Sequence, residues 1–118
     1  MPAKHLEASV RLKPGGAVLD LHGEINRFAQ EALNAAYAEA EDKDPEAIIL
    51  NFEDVDYINS TGIALIVSLL ARARASNRRL LAYGLSDHYV EIFEITRLSD
   101  FMGVYPDEES ALNEASVS

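Results

Sequence analysis

The stretch Ala47-Ile-Ile-Leu-Asn-Phe52 constrains this chain more than any other. A nearly continuous apolar run of that length has no wet face, so it reads as a central strand covered on both sides. Covering both faces requires helices. One precedes the run, where Phe28, Ala32, Leu33, Ala36, Tyr37 and Ala40 recur at helical spacing in an alanine-rich segment. A second follows, over about 60–76. Its early half (Ile63, Ala64, Leu65, Ile66, Val67, Leu69, Leu70) is apolar nearly all round and predicts deep burial.

The other elements fall around this centre. Leu6, Ala8, Val10 and Leu12 alternate with His5, Glu7, Ser9 and Arg11, which is the pattern of a strand with one dry face. Lys13-Pro-Gly-Gly16 supplies a tight turn, and 17–21 returns as the second strand of an antiparallel hairpin. Gly23-Glu-Ile-Asn26 comes next, with Asn26 placed to cap a helix. Residues 42–46 form a polar turn and 53–59 a loop. Residues 79–83 are a short strand closed by Gly84, 87–94 a third helix, and Val104-Tyr105 a last edge strand. Pro106 opens a final helix through 115. The order β-β-α-β-α-β-α-β-α defines an α/β fold with a mixed sheet of four to five strands backed by helices. One domain is expected over 1–118, with its core at about 6–115 and the last three or four residues frayed.

Composition narrows the function classes. At 118 residues and 48% hydrophobic, the chain can bury one real core. It has no cysteine, which excludes disulfides and thiolate ligands. A net charge of -10 disfavours direct binding to nucleic acid or anionic lipid. The longest apolar run, 63–71, is interrupted by Ser68 and is too short for membrane insertion. The opening MPAKHLEASVRLKPGG carries no signal-peptide run, so a cytoplasmic location is expected. Two charge clusters, Arg72, Arg74, Arg78 and Arg79 against Glu39, Glu41, Asp42, Asp44 and Glu46, read as solvated helix ends.

The segment most able to carry function is Phe52-Glu-Asp-Val-Asp-Tyr-Ile-Asn-Ser-Thr-Gly62. It leaves the carboxyl end of the central strand and enters a helix, the edge where ligands and regulatory groups gather in α/β sheets. A phosphate on Ser60 or Thr61 would meet free backbone amides and the favourable end of the helix dipole. It would also add roughly -1.5 to -2 charges beside Glu53, Asp54 and Asp56, enough to repel a complementary partner. The simpler reading is structural: Asn59 or Ser60 caps the helix, and Gly62 permits close packing.

Gly23-Glu-Ile-Asn26 before one helix, and Ile58-Asn-Ser-Thr-Gly62 leading into Ile63-Ala-Leu-Ile-Val67, resemble the STAS family, specifically bacterial anti-sigma factor antagonists. The likeness runs in element order and spacing over about 6–115. It implies that Ser60 is the phosphoacceptor, that Thr61 is its small neighbour and that Gly62 is the family glycine. It further implies that the unphosphorylated form binds an anti-sigma factor serine kinase (GHKL-type) and frees a sigma factor, with a phosphatase resetting the cycle. Partner-binding residues are then Asn26, Asp56, Tyr57, Asn59, Ser60, Thr61 and Gly62. Two positions depart from the family pattern. Asn59 stands where Asp usually precedes the acceptor, and Asn26 stands where Asp is frequent. Both substitutions remove a negative charge and keep a capping side chain. Related domains serve instead as scaffold subunits of stress-sensing assemblies or as accessory subunits of transport systems, and that alternative stays open, as does homo-oligomerisation.

Enzymatic readings find little support. A receiver domain would use Asp54 or Asp56 as acceptor, but needs acids at the first strand end and a late lysine, and no lysine follows Lys43. His5, His22 and His88 lack metal-ligand spacing, so neither a metal nor a catalytic residue is assigned. A Ser60–His22–Asp56 triad lacks the Gly-x-Ser-x-Gly elbow. No Gly-x-Gly-x-x-Gly or Walker motif is present, so no cofactor is expected. The Asn59-Ser-Thr61 sequon falls at a helix start and carries no weight without export. Tyr57, Tyr83, Tyr89 and Phe93 divide between partner surface and core. Phe101-Met-Gly-Val104 lies between elements as a more exposed contact candidate.

Overall fold

A computed structural model describes residues 5–116. Lys4 and two of the terminal residues expected to fray lie outside this range. Five strands and four helices follow in the order β1 (Glu7–Lys13), β2 (Gly16–Ile25), α1 (Gln30–Glu41), β3 (Ala47–Ile58), α2 (Ser60–Ala75), β4 (Arg79–Tyr83), α3 (Asp87–Ile95), β5 (Gly103–Tyr105) and α4 (Glu108–Ala115). Short 3-10 turns occupy Arg27–Ala29 and Leu98–Asp100. The strands lie side by side in sequence order. β1 is antiparallel to β2, and every later pair is parallel. This is the mixed, helix-backed sheet that the element order implies.

Right-handed crossovers that always step in one direction put α1, α2 and α3 on the same face of the sheet. There Leu19, Leu21, Ile48, Leu50, Phe52 and Leu80 meet Leu33, Tyr37, Ile66, Leu69 and Phe93 in the main core. On the opposite face α4 lays Ala111 and Ala115 over Val18, Ala47, Ile49, Leu81 and Tyr83. β3 is thus covered on both sides, as its apolar run requires. Tyr83 and Phe93 are core residues, each at most 1% exposed.

Several sequence expectations need correction. β2 continues to Ile25 and β3 to Ile58, so 53–59 is mostly strand. The two extensions pair with each other through His22–Asp54, Gly23–Val55, Glu24–Tyr57 and Ile25–Ile58, across two register shifts. Such bulges break the period of two that marks a strand in sequence. Gly23 sits at φ 112, a backbone state that disfavours any side chain. Phe28, expected in the core, is 65% exposed. Asn26 caps a 3-10 turn, so the α-helix starts only at Gln30, and Ala29 takes the buried place. Leu12 lies beyond the cluster that holds Ala8 and Val10 and is also exposed. The early half of α2 is not buried all round: Gly62, Ile66, Leu69 and Leu70 face inward, while Ala64, Val67 and Ser68 face outward. The last helix begins at Glu108 with Asp107 as its cap, two residues after Pro106. Met102 is buried while its neighbour Phe101 is exposed, so the Phe101–Val104 stretch presents one side chain rather than a patch.

The two charge clusters find each other. Arg72 reaches Glu41 at 2.6 Å and stacks over the Tyr37 ring, and Arg78 reaches Asp44 at 3.1 Å and the Pro45 carbonyl at 2.7 Å. Arg79 instead donates to the Glu114 and Ala115 carbonyls, closing the end of α4 against the sheet.

A polar network fixes the other end of α4. Arg11 bridges Asp20 and Glu108, Tyr83 donates to Glu108 at 2.7 Å, and Asn51 donates to Asp20 at 2.7 Å. Hydrogen bonds from Arg11 hold the carboxyls of Asp20 and Glu108 below their ordinary range. Carboxyls depressed by folding stabilise the native state above their unfolded values of about 4, and this is lost as pH falls through the native values. Arg11→Met should therefore cost about 1–2 kcal/mol at neutral pH. Urea unfolding of both proteins should show that gap closing as pH falls below the ordinary carboxylate range; a gap independent of pH would contradict the assignment.

Candidate functional site

β2 and β3 end together, at the Ile25–Ile58 pair, and each runs straight into a helical turn through an asparagine. Asn26 accepts the Phe28 amide at 2.9 Å. Asn59, extended at φ -92 and ψ -178, accepts the Gly62 amide at 2.8 Å, while its own amide donates to the Ile25 carbonyl at 3.2 Å. Both caps expected of these residues are made, with Asn59 rather than Ser60 capping α2. The Ile58 amide is held in turn by the Tyr89 hydroxyl at 2.9 Å, which assigns Tyr89 a structural part.

Gly62 explains how close the two strand ends come. A Cβ there would lie 2.0 Å from the Ile25 carbonyl oxygen and 2.8 Å from its carbon. The first turn of α2 therefore rests directly on the backbone of β2. Packing, not a positive φ, demands the glycine.

With Asn59 and Gly62 turned inward to structural tasks, Ser60 and Thr61 are left outward. Both are exposed, and neither hydroxyl is engaged among the described residues. Their backbone amides belong to the first turn and have no intrahelical partner. Tyr57 is 51% exposed beside them on β3, and Asp56 is exposed as well. The 3-10 turn bearing Phe28 touches α2, and about two turns further along α2 stands Val67, 45% exposed. Sequence reading missed Phe28, Ala64 and Val67 as surface, because their spacing alone marks them as core. The structure thus brings Asn26, Asp56, Tyr57, Asn59, Ser60, Thr61 and Gly62 to one edge, with Asn26, Asn59 and Gly62 positioning it rather than facing out.

The Ser60–His22–Asp56 arrangement is not assembled among the described residues. Asp54 pairs with His22 Nδ1 at 3.2 Å on the open sheet face, so His22 is not aligned on Ser60. Among the described residues no group of three or more His, Asp or Glu side chains is placed to hold a metal ion. No helix among the described residues is long and apolar enough to cross a membrane. Asn59→Ala should cost about 1 kcal/mol through loss of the cap, and Asn59→Asp should not. Thermal unfolding of the two variants tests this, and an equal loss in both would contradict the cap.

Fold and edge together present a hydroxyl-bearing helix start at the rim of a sheet, with exposed apolar side chains on the neighbouring 3-10 turn, on β3 and along α2. The sequence model of the STAS domain matches residues 7–111, and the chain belongs to that family. It is 32% identical over 82 residues to a Staphylococcus aureus anti-sigma-B factor antagonist, covering 70% of this chain and 76% of that protein. Its fold matches that of an anti-sigma factor antagonist from Mycobacterium paratuberculosis at a TM-score of 0.77, with 19% identity and 95% of each chain covered. It also matches the Bacillus cell fate determinant SpoIIAA in its phosphorylated form, at 0.68 with 23% identity over 91% of this chain and 97% of that one.

Proposed function

We propose that this protein is a phosphoregulated switch that, unphosphorylated, binds an anti-sigma factor serine kinase of the GHKL type and so releases a sigma factor. Ser60 is the acceptor, and a phosphatase returns it to the binding state. The reading rests on one observation: the exposed, unengaged Ser60 hydroxyl on the first residue of α2, in a chain 32% identical to an anti-sigma-B factor antagonist. A kinase can reach such a hydroxyl without unfolding anything. The same surface carries Phe28, Tyr57 and Val67, apolar area that a partner would dehydrate. Asn26, Asp56, Tyr57, Asn59, Ser60, Thr61 and Gly62 form the partner-binding surface in this reading. The partner's need for ATP places the exchange in the cytoplasm.

Phosphate on Ser60 would be tolerated by the fold and not by the complex. The open amides and the helix dipole favour the added charge locally. Docking that covers it would have to desolvate a dianion next to Asp56, at a cost of several kcal/mol without a matching cation. The neutral Asn59 and Asn26 favour a second reading, a phosphate-independent scaffold or accessory subunit, since both replace a family acid. Calorimetric titration with the cognate kinase separates the two. The switch requires wild type and Ser60→Ala to bind alike and Ser60→Asp to fail; equal binding by all three supports the scaffold.

A further inference from the structure

Among the described residues β1 is an edge strand whose outer side has no neighbour in the sheet. Natural edges are usually blunted by a bulge, a proline or an inward charge. β1 has neither bulge nor proline: it pairs with β2 in unbroken register from Glu7–His22 to Lys13–Gly16, Pro14 lies beyond its end, and its one inward charge, Arg11, is already neutralised by Asp20 and Glu108. Next to its end stands a leucine, Leu12, that is 56% exposed.

We infer that this edge pairs with β1 of a second copy of the same chain, antiparallel about a two-fold axis through Val10. Backbone geometry selects that axis. Lys13 and Gly16 flank a two-residue hairpin turn, so they form a hydrogen-bonded pair, and the odd residues of β1 bond inward to β2. The amides and carbonyls of Ala8, Val10 and Leu12 then point outward. An antiparallel partner must set even residue against even residue, which leaves few registers. Centring on Val10 pairs the whole strand: Ala8 with Leu12 of the partner subunit, and Val10 with Val10 of the partner subunit.

Charge selects the same register. On the face toward α4, Glu7 comes opposite Lys13 of the partner subunit, and Ser9 comes opposite Arg11 of the partner subunit. Among the described residues Glu7 and Lys13 have no salt bridge within the chain. A shift that centres on Arg11 would instead oppose two arginines, a destabilising pair. On the face toward α1, the exposed Leu12 is covered by Ala8 of the partner subunit. One register therefore satisfies the free backbone, the free charges and the free leucine together. Because the strands run in opposite senses, the two Ser60 edges point away from each other and stay accessible.

Sedimentation equilibrium on the untagged full chain, up to about 0.5 mM, tests the pairing. The expected result is a reversible shift from 13.0 kDa toward twice that mass. Each single reversal, Glu7→Lys or Lys13→Glu, sets like charges opposite one another twice per dimer and should raise the dissociation constant about tenfold. The double reversal restores both pairs and should restore the dimer, an outcome that a folding defect cannot imitate. A monomer at every concentration, leaving the edge to some other chain, would overturn the proposal. So would a dimer indifferent to the single reversals.

Discussion

Gly62→Ala is expected to lower stability by about 3 kcal/mol or more, a large loss for a single methyl group. The methyl carbon would start 2.0 Å from the Ile25 carbonyl oxygen and 3.0 Å from Ile58 Cγ2. Neither obstacle is a side-chain tip that can swing away: one is backbone at the paired end of β2, and the other is the branched end of a buried isoleucine. Relief requires α2 to lift from β2, and that motion stretches the Asn59–Ile25 bond and the cap on Gly62. For a chain of this size the loss corresponds to a melting temperature lowered by roughly 10 °C or more. Calorimetry measures it directly. A fall of only one or two degrees would mean that α2 does not rest on β2 as described.

Ser60→Asp is expected to weaken binding of the kinase partner about 100-fold while leaving the melting temperature within a degree or two. The two halves of this expectation have different origins. Stability is preserved because position 60 is exposed at a helix start, where an acid suits the dipole. Binding suffers because the carboxylate must lose its water beneath a partner surface shaped for a neutral hydroxyl. Ser60→Ala removes the hydroxyl without adding charge and should bind within a few-fold of wild type. The pattern across the three proteins therefore separates a charge effect from a loss of packing.

The helix start at Ser60 was legible because its signals are local: a capping residue, then small residues, then an apolar run. The β1–β2 turn was legible for the same reason, since Pro14 and Gly15 carry turn dihedrals in themselves. The start of β3 was fixed by Ala47 to Leu50, which admit no solvated face. What remained hidden depends on residues far apart in the chain. The extension of β3 past Phe52 is held by β2, and its bulges disguise the alternation. Phe28 and Val67 are apolar at helical spacing, and only the placement of the helices shows that they face outward. The pairing of Arg72 with Glu41 joins α2 to α1, so neither cluster alone revealed it. Arg11, Asp20 and Glu108 gave no sequence signal as a unit, because they meet only after α4 folds back over the sheet.

The most direct test of the switch is peptide mapping by mass spectrometry after incubation with the cognate kinase and ATP, with Ser60→Ala treated in parallel. The expected result is a single phosphate on the peptide spanning Asn59-Ser60-Thr61, assigned to Ser60 by fragmentation and absent from the variant. No phosphate in wild type would contradict the account and favour the phosphate-independent scaffold, with neutral Asn59 as the place to look for the cause; a phosphate that persists in Ser60→Ala would contradict Ser60 as the acceptor.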